Sequence, residues 1–234
     1  MNRKGKSKEI IIKVSDVKKT FAYGDVQCEA LKGVSFEILK GQFVSIVGRS
    51  GSGKSTLMHI MAGLETMTDG DVVVDGISIK SLSEKQLCTH RNAKTGFVFQ
   101  SYFLEPAYTV YNNIAMPLMI GGVPKKDRKA LVEKAAKKAG IDHKLNCISS
   151  KLSGGEKQRV AIARAVVGNP PIIFADEPCG NLDVANGQAI MSLLRELSDN
   201  GTTVVLVTHN NDDAKKTDRI ITITDGLVVS DEVI

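Results

Sequence analysis

Cysteine, proline and long apolar runs are all scarce in this chain, and each scarcity removes a class of protein. Only 4 of its 234 residues are cysteine (Cys28, Cys88, Cys147, Cys179). None stands in a Cys-x-x-Cys spacing and none has a histidine at zinc-finger distance. Neither a disulfide framework nor a structural metal module is expected, and reduced thiols in a cytosolic setting are. With 6 prolines against 21 glycines, 42% hydrophobic and 24% charged residues, the proportions are ordinary for a globular protein. Collagen-like, disordered and coiled-coil readings fall away. No stretch approaches the roughly 18 apolar residues that would cross a bilayer. The basic start Met1–Lys6 leads into just three isoleucines, Ile10–Ile12, before Lys13. That is too short for a signal peptide's apolar region, so a soluble, intracellular protein is expected.

The length suits one large domain or a core domain with a grafted subdomain, able to bury roughly 70% of its unfolded surface. The 31 Lys+Arg outnumber the 26 Asp+Glu, for a formal net charge of +5. So mild an excess suits polyphosphates, an anionic membrane surface or nucleic acid. Much of it lies in Met1–Lys8 and Lys125–Lys138, which read as solvated faces.

Periodicity orders the elements. Val34–Ile38 alternates as an antiparallel strand with one wet face, while Phe43–Val47 is nearly continuous and reads as a strand covered on both sides. A helix is predicted over Lys54–Ala62, ended by Gly63. Val72–Val74 with an Asp75-Gly76 turn, and Gly96–Phe99, are short strands. From about residue 103 to 167 strand signals vanish, and two amphipathic helices are predicted, Lys129–Ala139 and Glu156–Val167. Strands return at Ile172–Ala175 and Thr203–Val207 around a helical stretch Ala185–Leu197. Two short ones, Ile220–Thr224 and Leu227–Val229, close the chain. This alternation predicts an α/β domain over residues 1–234. It has a mainly parallel core sheet, ligands at the strands' carboxyl ends and a helical insertion over about 103–167.

Gly48-Arg49-Ser50-Gly51-Ser52-Gly53-Lys54-Ser55 follows a predicted strand and opens a helix, matching GxxxxGK[ST]. Glycines let successive N–H groups curl around an anion, and the helix start adds partial positive charge. Gly48 through Thr56 are therefore the candidate phosphate-binding residues, with Lys54 reaching the β- and γ-phosphates and the Ser55 hydroxyl available to Mg²⁺. The apolar run Ile172–Ala175 ends in Asp176-Glu177. Asp176 is placed to hold Mg²⁺ through water and Glu177 to take a proton from an attacking water. No NKxD guanine-reading motif is present, so ATP is the expected nucleotide.

Leu152-Ser153-Gly154-Gly155-Glu156-Lys157-Gln158 carries an S-x-x-E capping box at a second glycine-rich helix start. This LSGGxxQ stretch is also the signature of ATP-binding cassette (ABC) ATPases, and the chain resembles that family over about residues 9–231. The resemblance implies a P-loop NTPase fold with an N-terminal antiparallel β-subdomain. It implies a head-to-tail dimer in which Ser153, Gly154 and Gly155 of one subunit cover the ATP held by the other's cradle. Gln100 resembles the Q-loop glutamine that touches Mg²⁺ and the attacking water. Gly180-Asn181-Leu182-Asp183 resembles the D-loop, and His209 the switch histidine on the γ-phosphate. Phe21 stands where an aromatic stacks on adenine, with Tyr23 the alternative.

Within the family the chain is most similar to the LolD/MacB type, carried by Ala30–Ser35, Gly96–Gln100, Asn113–Leu118 and Gly180–Asp183. That implies a separate integral membrane permease of FtsX/MacB-like type; the candidate dock is Gln100–Glu105, where Tyr102, Phe103 and Leu104 are apolar anchors of the kind interfaces favour. It also implies a cytoplasmic subunit, peripheral on the inner face of the membrane, with no nucleic-acid partner. The pattern departs at Cys179, where threonine is usual. It reads either as a thiol reactive beside Glu177 or as a small residue filling a small space.

Overall fold

The computed structural model describes residues 9–24 and 26–234; the basic start Met1–Lys8 and the side chain of Tyr23 lie outside the described residues. The nearly continuous apolar run Phe43–Val47 forms β3, every residue of which is buried, Ser45 included. It lies at the middle of a six-stranded sheet. Its neighbours are β8 (Thr203–Thr208) on one side and β9 (Arg219–Thr224) on the other, with β7 (Ile172–Asp176) and β6 (Thr95–Phe99) beyond β8. These five strands are mutually parallel, and β10 (Leu227–Val233) pairs antiparallel to β9 at the edge. Parallel strands need covering on both faces, and the side-chain alternation shows two cores. Phe43, Ile173, Ala175, Val204 and Leu206 face one; Val44, Ile46, Ile172, Phe174, Val205 and Val207 face the other.

The second core is closed by another sheet, antiparallel in the order β2-β1-β4-β5. Here β1 (Ile10–Tyr23) and β2 (Val26–Leu39) form a long hairpin, joined by β4 (Asp69–Val74) and the two-residue β5 (Ile77–Ser78). Between the two sheets lies α1 (Lys54–Met61), with Leu57, Met58, Ile60 and Met61 buried. The first core is closed by α3 (Val110–Ile120), α4 (Lys125–Lys138), α5 (Gly154–Val166) and α6 (Val184–Asp199). The first three of these lie between β6 and β7 in the chain. A short α7 (Asn211–Ala214) follows β8.

Three elements depart from the periodicity. β1 is not predicted, because its alternation breaks at Asp16, which sits at φ 47 where the register with β2 shifts. α2 (Glu84–Lys94) is not predicted either: none of its residues is buried, so there is no apolar stripe to read. α3 carries Pro117 inside it, a residue that ordinarily ends a helix. Among the described residues no helix is long and apolar enough to cross a membrane.

Candidate functional site

Three adjacent parallel strands end side by side, because Val47 pairs with Thr208 and Asp176 with Val207. Whatever follows β3, β7 and β8 therefore shares one edge of the sheet. After β3 comes the loop 48–53. Gly48 has φ 154, and a Cβ there would meet Ile223 O at 2.1 Å. Gly53, at φ 98, caps α1 without a side-chain bond. A helix start with no side-chain cap leaves its first N–H groups aimed into the loop, with the positive end of the dipole behind them. Lys54 is buried and its Nζ donates to Arg49 O at 2.8 Å, arching across the same loop. Ser52 is buried and its Oγ has no partner. Arg49, Ser50 and Gly51 are exposed, as is Ser55, while Thr56 is half-buried. A glycine-rich loop at a helix start, with a buried lysine and an unpartnered Ser52 hydroxyl, suits an anion with several oxygens.

The second strand end brings Asp176 to Ser55, whose Oγ donates to Asp176 Oδ1 at 3.3 Å. Burial pushes the Asp176 carboxyl above its ordinary range, only partly offset by the Ser55 bond. A hydroxyl and a carboxylate side by side are hard oxygen donors, and the burial cost of the carboxylate is what a cation would relieve. Mg²⁺ keeps most of its shell as water and phosphate and needs no more protein ligands than this. Among the described residues no cluster of three or more His, Cys, Asp and Glu is placed for a metal.

Glu177 sits at φ 45, a conformation uncommon for a non-glycine residue, anchored by its N–H to Val207 O at 2.9 Å. Its carboxylate reaches the third strand end: Thr208 Oγ1 donates to Oε2 at 3.2 Å and His209 N to Oε1 at 2.9 Å. His209 Nδ1 lies 2.6 Å from the same Oε1. The sequence assigns Glu177 and His209 separate roles and does not predict this contact, which the run Val207-Thr208-His209 creates by ending β8 beside β7. The imidazole stays 72% exposed.

The other candidates lie elsewhere in the chain. Gln100 donates from Nε2 to Asn181 Oδ1 at 3.2 Å, and Asn181 Nδ2 returns a bond to Gln100 O at 3.1 Å. No hydrogen bond among the described residues joins Gln100 to Ser55 or Asp176. Ser153 caps α5 through the capping box: Glu156 N donates to Ser153 Oγ at 3.3 Å and Ser153 N to Glu156 Oε2 at 2.9 Å. The Ser153 N–H, with Lys144 at 3.2 Å, holds the Glu156 carboxyl below the usual range. Asp183 caps α6 by accepting from Asn186 N and Nδ2, both at 2.8 Å, and those bonds lower its pKa. Asn186 also packs where a Cβ on Gly155 would be, 2.5 Å from its Oδ1. It is a residue the motifs do not single out, and it ties the 153–155 turn to Asp183. Gly154 faces the Tyr102 hydroxyl. No hydrogen bond or ion pair among the described residues joins residues 153–156 to the loop 48–56.

Phe21 pairs across the hairpin with Cys28, and Lys19 Nζ lies 4.7 Å from its ring centroid. For Cys179, burial pushes the thiol pKa up to about 12, and Sγ donates to Gly187 O at 3.5 Å. A thiol so far from ionising is space-filling rather than reactive.

A phosphate cradle, an acidic pair and a histidine on one edge of a parallel sheet define a P-loop nucleotide hydrolase. The ABC transporter family matches residues 31–180, and the chain belongs to that family as an ATP-binding, ATP-hydrolysing cassette. It is 41% identical to the lipoprotein-releasing system ATP-binding protein LolD of Shewanella frigidimarina, over 95% of this chain and 93% of that one. It is 44% identical to the macrolide export ATP-binding/permease protein MacB of Chlorobium luteolum, over 95% of this chain but 33% of that longer protein. Among solved structures it is similar to the bacterial ABC transporter cassette MJ0796 in a dimeric form. The TM-score is 0.88 with 41% identity, covering 95% of this chain and 98% of that one. The same cassette has been solved as a dimer in a post-hydrolysis state with ADP and Pi, 40% identical to this chain.

Proposed function

We propose that two copies of this chain close head to tail around two ATP molecules and drive a separate membrane permease of FtsX/MacB-like type from the inner face of the membrane. The observation that carries the hydrolytic half is the common edge of β3, β7 and β8, where the cradle, Asp176 and the Glu177–His209 pair stand together. Lys54 and the N–H groups of 48–56 hold the phosphates, and Phe21 stacks on the adenine. Ser55 and Asp176 would hold Mg²⁺, with Gln100 swinging to it from Asn181. The bound cation would neutralise developing charge on the β- and γ-oxygens. Glu177 accepts a proton from the water that attacks the γ-phosphorus in line. Its two bonds from His209 N and Thr208 Oγ1 aim the carboxylate while His209 stays open to the phosphate. The division of the site, with 153–156 unlinked to the cradle within one chain, supports supply of Ser153, Gly154 and Gly155 by the mate, with Asp183 beside them. The MJ0796 cassette, described as dimeric, supports the same reading.

The permease would seat on the turn after β6, where Phe103 is 66% exposed. A nucleic-acid partner is not part of this reading, since the formal net charge of +5 is modest for that work. Glu177→Gln tests the catalytic reading directly. Binding of ATP should persist while turnover falls at least about 100-fold, the scale of a lost general base. Hydrolysis at the parent rate would remove Glu177 from the mechanism.

A further inference from the structure

α5 does more than present Ser153. Eleven residues further on, Arg164 reaches across to the turn that follows β6. Its Nη1 donates to Phe103 O at 2.5 Å and its Nη2 to Tyr102 O at 2.7 Å. Tyr102 sits at φ 59 and Phe103 at φ 47. Consecutive non-glycine residues in the left-handed region are strained, and such a pair persists only where its surroundings hold it. The turn's own bonds are local: Tyr102 N donates to Phe99 O at 3.3 Å and Phe103 N to Ser101 O at 2.6 Å. Arg164 has no carboxylate within ion-pair distance among the described residues, so its charge is committed to the two carbonyls. Its planar fork spans both at once, which a lysine ammonium does not.

The same helix grips the neighbouring backbone a second time. Gln158 is buried and donates from Nε2 to Phe99 O at 3.3 Å and Pro178 O at 2.7 Å. Tyr102 closes the loop at the helix start, its hydroxyl 3.0 Å from where a Cβ on Gly154 would stand. The turn therefore begins at Gln100, exposes Phe103 and rests on both ends of α5.

We propose that Arg164 is the positioning residue of this turn, its fork holding Tyr102 and Phe103 in the left-handed conformation and so fixing against α5 the backbone from which Gln100 projects. The inference rests on the proposed role of Gln100 beside the reacting phosphate and adds the residue that holds the turn from which Gln100 would reach it.

The chain contains no tryptophan, so Phe103→Trp supplies a single fluorescent reporter in the turn. In that background Arg164→Met should lower the indole's anisotropy and raise its quenching by acrylamide. It should also lower kcat for ATP about tenfold, on the scale of a small misplacement near reacting atoms, with KM within about twofold of the reference. Arg164→Lys, able to hold one carbonyl but not both, should fall between. A merely structural role would instead lower the melting temperature and change KM along with kcat. Reference anisotropy and kcat in Arg164→Met would overturn the proposal; should that variant not fold, the same result in Arg164→Lys would do so. If the Phe103→Trp reference hydrolyses ATP but Glu177→Gln in it hydrolyses equally fast, the catalytic reading fails instead, and the anisotropy still decides the part assigned to Arg164.

Discussion

At the scale of single residues, Gly48 tolerates little because its nearest neighbour is backbone rather than a side chain. A Cβ on Gly48 would come 2.1 Å from Ile223 O, which is fixed in β9, and 2.7 Å from Ser52 Oγ. Gly48→Ala should therefore push the loop away from β9 or break the strand pair. A loss on the order of 2–3 kcal/mol is expected from the strained backbone and the clash together. Urea unfolding of the variant checks the stability, and titration with ATP checks the site. The loop's donors should be displaced and affinity should fall, while parent-like values in both measurements would show that the loop adapts freely. The contrast with Cys179 is instructive, since there the environment relaxes the demand. Its thiol is held protonated by burial, and serine or alanine should serve nearly as well.

Elements add the constraint of capping. α5 starts on a charged box in which Glu156 is stabilised in its ionised form by the Ser153 N–H and by Lys144. A carboxyl whose pKa is lowered on folding contributes stability that is present above its unfolded value, near 4.5, and that is lost as the pH falls through the lowered folded value. Glu156→Gln keeps a hydrogen-bond acceptor but no charge. Its cost should be about 0.5 kcal/mol at pH 7, discounted for an exposed site, and should shrink as the pH is taken from 7 to below 4.5. Paired unfolding curves at the two pH values check this, and a cost independent of pH would place the bond rather than the charge in control. The capping box was legible from Ser153 and Glu156 alone because both partners are local. So were β3, α1 and β7, whose apolar runs are long and bounded by Gly63 or by acidic residues. α2 was not, since a helix with no buried residue carries no stripe. The Glu177–His209 contact was not, since it depends on which strands become neighbours, and no local spacing encodes that. Arg164 was illegible for the same reason: in sequence it is one more cation on an amphipathic helix, and the turn it holds lies 61 residues away from it at Phe103.

For the whole molecule the decisive question is whether one chain or two make a complete site. Among the described residues no hydrogen bond or ion pair joins the 153–156 helix start to the 48–56 loop, yet both are glycine-rich, donor-bearing helix starts of the kind that bind anions. A two-fold arrangement lets each supply what the other lacks, and a two-fold pair contains both composite sites by symmetry. Subunit mixing separates this from a site complete in each chain. Lys54→Ala disables the cradle; Ser153→Arg places a long side chain at an exposed position on the opposing face. Each variant alone should be nearly inactive, because every site in its dimer carries the defect. In a mixed dimer one site combines both defects and the other combines the intact Lys54 of one chain with the intact Ser153 of the mate. With random pairing half the dimers are mixed and half of their sites are whole, so the equimolar mixture should regain up to about one quarter of the parent rate. Activity measured across a range of mixing ratios should peak near equal amounts. If instead the mixture stays as inactive as its components at every ratio, the two helix starts do not meet across an interface, and the dimeric sandwich is wrong.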